Sequence, residues 1–101
     1  MSGRIAFSRV ADAALMHAET ILSRWLPSGR RVGSEWLARN PTRGDSRLGS
    51  FKVNVRTGKW SDFATGDGGR DLISLAAYMY RLDQPDAARR VAEMVGISPY
   101  E

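Results

Sequence analysis

Cysteine does not occur in the 101 residues of this chain, and histidine occurs once, at His17. The first absence removes disulfides, thiolate metal sites and cysteine nucleophiles, and it leaves the redox compartment open. The second means that imidazole cannot build a zinc site, which needs several such ligands around one ion. Long apolar runs are missing as well. Nothing approaches the ~20 residues needed to span a bilayer, and the N-terminus has no apolar block followed by a small-residue cleavage site. The chain is expected to be soluble and cytoplasmic, with no membrane partner. Catalytic groupings are also lacking, because His17 lies in a helical stretch away from any serine elbow or paired acids. The expectation is a protein that is not an enzyme and carries no cofactor.

Positive charge is what the chain has in excess, and it is unevenly placed. The formal net charge is +4. Residues 30–59 hold eight basic side chains (Arg30, Arg31, Arg39, Arg43, Arg47, Lys52, Arg56, Lys59) against Glu35 and Asp45, whereas residues 60–101 hold four basic and seven acidic ones. A field concentrated in this way favours polyanions through phosphate contact and counterion release, although a solvated basic face with no ligand has the same composition.

The length suits one domain with a single small core. Over residues 8–26 the apolar side chains Ala11, Leu15, Ala18, Leu22 and Trp25 step by four and three, which predicts one amphipathic helix capped by Ser8 and stopped by Pro27-Ser28-Gly29. Residues 30–70 should form a small antiparallel sheet. Within it Phe51, Val53 and Val55 alternate with Lys52, Asn54 and Arg56, the period of a strand with one buried face. A two-residue turn at Thr57-Gly58 would pair Val55 with Trp60 and Val53 with Asp62, with a loop of three to five residues as the alternative. Residues 71–97 should hold two helices, the first opened by Asp71 and the second capped by Asp83, with Pro85 in its first turn and Gly96 at its end. The predicted class is α+β, with one N-terminal helix, a small antiparallel sheet and two C-terminal helices.

The order of motifs from 40 to 71 is Asn40-Pro41-Thr42-Arg43, then Ser50-Phe51-Lys52-Val53-Asn54-Val55, then Trp60-Ser61-Asp62-Phe63, then a glycine-rich corner ending at Gly69-Arg70-Asp71. It resembles the zinc-ribbon domain at the N-terminus of bacterial and phage DNA primases, in a metal-less form similar to regions encoded by phages, plasmids and other mobile elements. Transferred position by position, the resemblance puts the family's metal ligands at Asn40, Arg43, Asp62 and Thr65, none of which is cysteine or histidine. It implies a vacated metal site closed by protein contacts, with Arg43 and Asp62 as a charge-assisted pair and Asn40 and Thr65 bonded to nearby backbone. The glycine-rich corner lacks the Lys-Ser/Thr of a phosphate loop and puts Asp67 and Asp71 where an anion would go. Its glycines are therefore read as a tight knuckle, with Asp71 as a helix cap.

Aromatic and basic residues interleave through the sheet region, as they do in proteins that stack bases while following a phosphate backbone. By hairpin parity Trp60 shares the buried face of Val53, and Phe63 falls on the opposite face with Lys52 and Asn54. If that face is open, the nucleic-acid contacts are Arg43, Arg47, Lys52, Asn54, Arg56, Lys59 and Phe63; if a helix covers it, Phe63 is core. The resemblance implies a non-catalytic module that binds single-stranded DNA in replication or priming of a phage or plasmid. Joining nucleotides would fall to a separate Toprim or polymerase domain. The alternative from another class is a small mobile-element protein that blocks or recruits a host replication or defence protein through its basic face.

Overall fold

The N-terminal apolar repeat folds as two helices, not one. In the computed structural model, which describes residues 3–42 and 50–101, α1 (Phe7–Met16) and α2 (Ala18–Trp25) are separated at His17, whose φ of −119° and ψ of 25° leave the helical region. The side chain of Ser8 does not cap α1; Ala6 stands at that position without a side-chain bond. The break follows from what each half packs on. Val10 and Ala14 of α1 are buried against the C-terminal helices. In α2, Trp25 meets Tyr80 edge-on at 6.0 Å, and Glu19 pairs with Arg31 of the sheet at 2.8 Å. The start of α1 is also tied to the far end of the chain, where Ala6 N–H donates to Pro99 O and Ile5 bridges Tyr100.

Among the described residues five short strands follow, β1 (Arg30–Val32), β2 (Glu35–Ala38), β3 (Phe51–Asn54), β4 (Trp60–Asp62) and β5 (Gly68–Gly69), in one antiparallel sheet whose spatial order is the chain order. The alternation expected for β3 holds, with Phe51 and Val53 buried and Lys52 and Asn54 half-buried on the other face. The β3–β4 register differs from the two-residue turn. Val53 pairs with Trp60 and Phe51 with Asp62, leaving residues 55–59 as a five-residue connection. Side-chain chemistry in the turn decides this. Asn54 Oδ1 accepts from the backbone N–H groups of Arg56 and Thr57 at 2.8 and 3.1 Å, and Gly58, at φ 82°, brings its N–H back to Asn54 O. The slip is two residues, so each side chain keeps its expected face.

Two helices close the domain, α3 (Leu72–Tyr80) and α4 (Gln84–Val95). Each begins as its first residues dictate, and α4 also ends as its sequence dictates, whereas α3 ends at Arg81, which takes the left-handed conformation without being glycine. Asp71 and Ser74 form a reciprocal capping box on α3, Asp83 accepts from Asp86 N–H at the start of α4, and Gly96 takes the left-handed conformation that ends it. Ala87, Ala88, Val91 and Ala92 let α4 lie close on α3 and α1, and a single core runs from there to the inner face of the sheet. Replacing Asp71 by Ala is expected to cost about 1 kcal/mol, the usual loss for an N-cap acceptor, in a urea melt, with Asp71→Ser retaining most of it. No described helix is long and apolar enough to cross a membrane.

Candidate functional site

The sheet has one face under α3 and one face open. On the inner face Phe51 and Trp60 pack against Tyr78 of α3, with ring centroids 6.4 and 4.7 Å away. Trp60 donates its indole N–H to Ser74 Oγ at 2.9 Å, and Trp36 is buried with its indole N–H on Leu26 O at 3.3 Å. Of the aromatics interleaved with basic residues in the sheet region, Trp36, Phe51 and Trp60 are therefore core. Phe63 is the exception: it is 72% exposed, just past the end of β4, and its N–H is held by Ser50 O at 2.9 Å.

Beside Phe63 runs a shallow groove lined by Glu35, Lys52, Asn54, Lys59 and Ser61. The Lys52 ammonium stands 4.9 Å from the centroid of the Phe63 ring, a cation–π distance that orients the ring without covering both of its faces. Lys59 lines the groove from the β3–β4 connection, and Arg56 is exposed on the same connection. Asn54 serves the turn through its carboxamide oxygen as well as lining the groove, a role that the strand pattern did not disclose. The structure thus brings Lys52, Asn54, Lys59 and Phe63 together. Arg43 and Arg47 lie outside the described residues.

On the other side of β4, Asn40 and Asp62, two of the four positions that the resemblance singles out, form a second constellation with Tyr78. Asn40 and Asp62 are each 1% exposed, and Asn40 Nδ2 donates to Asp62 Oδ2 at 2.6 Å and to the Tyr78 hydroxyl at 2.9 Å. Asn40 Oδ1 accepts from both the backbone N–H and the hydroxyl of Thr42, at 2.8 and 2.7 Å. Both amide hydrogens and both oxygen lone pairs of Asn40 are thereby used. Asp62 Oδ1 accepts from Ala64 N–H at 2.8 Å, and the Tyr78 hydroxyl donates to Asp67 Oδ2 at 2.8 Å. Thr65 stays at the exposed rim and accepts from Asp67 N–H, a local backbone bond of the kind expected. Asn40 differs from expectation, since it bonds the Asp62 and Tyr78 side chains as well as backbone. The expected Arg43–Asp62 pair lies outside the described residues. Nothing in the chain pattern pointed to Tyr78.

These residues do not fit the zinc ion that a ribbon of this shape implies. Asparagine and threonine are neutral oxygen donors, arginine remains protonated, and both oxygens of the one carboxylate already accept hydrogen bonds from Asn40 and Ala64. Among the described residues no group of three or more histidine or acidic side chains could hold a metal ion. The glycine-rich corner is a knuckle, as expected. Gly66 turns it at φ 80°, and Gly68 and Gly69 then pair with β4.

No protein-family model matches this chain, and no curated protein does. Among solved structures it is similar to the crystal structure of the Aquifex aeolicus primase comprising zinc-binding and RNA polymerase domains, with a TM-score of 0.74 and 21% identity. The match covers 94% of this chain and 22% of that one, and the shared fold is that of the zinc-binding domain.

Proposed function

We propose that this chain is a non-catalytic nucleic-acid-binding module that holds single-stranded DNA along the open face of its sheet, in replication or priming on a phage or plasmid. The observation that carries the reading is Phe63, a large aromatic left outside the core, with Lys52 against its ring, Lys59 lining the same groove and Arg56 exposed on the adjoining β3–β4 connection. A base can stack on the free side of the ring while the ammonium and guanidinium groups follow the phosphates. Specificity for one sequence is not expected from such a surface, because every base offers a stacking face. The fold supports the reading, and so does the basic excess of residues 30–59. Joining nucleotides is assigned to another domain or protein.

Fluorescence anisotropy with labelled single-stranded DNA at low and high salt tests this. Binding should weaken as salt rises, and Phe63→Ala should lower affinity about 5- to 150-fold, the equivalent of one stacked base at ~1–3 kcal/mol. Lys52→Ala, Arg56→Ala and Lys59→Ala should each flatten the salt dependence by about one unit of slope if each contacts a phosphate. A flat titration at low salt, or equal affinity for the wild type and Phe63→Ala, would overturn the proposal. The flat titration would turn the basic face towards a protein partner instead.

A further inference from the structure

We infer that the side-chain cluster of Asn40, Asp62 and Tyr78, completed by Thr42 and Asp67, does in this domain the cross-linking that a metal ion does in zinc-bearing domains of the same shape, so that the fold stands without metal. The inference is independent of any DNA contact. It rests on the geometry of the knuckle.

A structural zinc ties segments that are distant in the chain to one point and excludes water from that point. The cluster meets both requirements. Asn40 follows β2, Asp62 ends β4 and Tyr78 lies in α3, so the hydrogen bonds from one carboxamide bridge separations of 22 and 38 residues. Asn40 and Asp62 are sealed from solvent at 1% exposure, where a broken hydrogen bond is not replaced by water. The bonds are directional and mutually saturating. Asn40 donates twice and accepts twice, and the Tyr78 hydroxyl accepts from Asn40 while donating to Asp67.

Tyr78 gives the arrangement a reach that a four-ligand knuckle lacks. Its ring lies nearly parallel to Phe51, at an interplanar angle of 16°, and packs on Trp60, so the hydroxyl is delivered to the knuckle by the apolar core itself. The cluster joins the ribbon to α3 as well as closing the ribbon. A sequence with neither thiolates nor a second imidazole thus retains a rigid corner at the place where the resemblance puts the ligands.

The test uses the purified chain and three measurements. Metal analysis should find no stoichiometric zinc, and the melting temperature should be unmoved by excess EDTA or by added zinc chloride. Tyr78→Phe, which keeps the ring and removes only the hydroxyl, should lower the melting temperature by about 4–8 °C, the shift expected in a domain of this size when a hydrogen-bond partner of the buried Asn40 side chain is lost. Tyr78→Phe and Asn40→Ala should lower it together by less than the sum of their separate effects, because the bond between them is lost only once. Bound zinc, a melting point that falls with chelator, or a Tyr78→Phe protein as stable as the wild type would overturn the inference. If Asn40→Ala fails to fold, the metal measurements and Tyr78→Phe alone decide it.

Discussion

Phe51→Ala is expected to cost about 3–5 kcal/mol, a large part of the ~5–15 kcal/mol that holds a domain of this size together. Phe51 is fully buried, pairs with Asp62 across β3–β4 and with Ala38 across β2–β3, and lies 5.9 and 6.4 Å from the rings of Trp60 and Tyr78. Its removal leaves a void between the sheet and α3 that neither neighbour can fill, since Trp60 is fastened to Ser74 and the Tyr78 hydroxyl to the polar cluster. The effect should therefore exceed the loss of apolar area alone. Urea denaturation followed by tryptophan fluorescence measures it. A loss below about 1 kcal/mol would mean that the core relaxes around the void and that the packing described here is not what stabilises the sheet.

Gly69→Ala should be nearly as damaging, at about 3 kcal/mol, the upper part of the range for overpacking. A methyl group at this position would fall on Ser74 Oγ and lie 2.5 Å from Trp60 Nε1. Those two atoms are hydrogen-bonded to each other, and Ser74 is also the second member of the α3 capping box, so one added carbon disturbs a tryptophan bond and a helix start together. The constraint is space. Gly66 provides the control, because a Cβ there meets no atom within 4 Å and only its positive φ of 80° opposes substitution. Gly66→Ala should cost about 1–2 kcal/mol, near the penalty for a left-handed alanine, and a calorimetric melt showing the two variants equal would remove the close-packing argument.

Much of the fold was legible locally. Asp83, Pro85 and Gly96 bound α4, Asp71 opens α3, and the alternation of 51–54 sets which face of β3 is buried, because each of these signals acts through backbone groups or neighbours within a turn. The break at His17 was not legible. The apolar spacing of residues 8–26 is compatible with one continuous helix, and only the different partners of Val10 and Trp25 divide it. The hairpin register was legible only as the alternative loop of three to five residues, since Asn54 competes for the turn with its side chain and a two-residue slip is invisible to a period of two. Phe63 was placed on the correct face by parity, whereas its exposure depended on where α3 came to lie.

Composition alone decided that no thiolate and at most one imidazole could ever reach the knuckle, and local chemistry decided the caps, the strand faces and the basic middle third. Tertiary structure decided which groups would meet there. Asn40, Asp62 and Tyr78 are too far apart along the chain for any local pattern to join them, and they meet only because the sheet closes on α3 and excludes the water that would otherwise hydrogen-bond each of them.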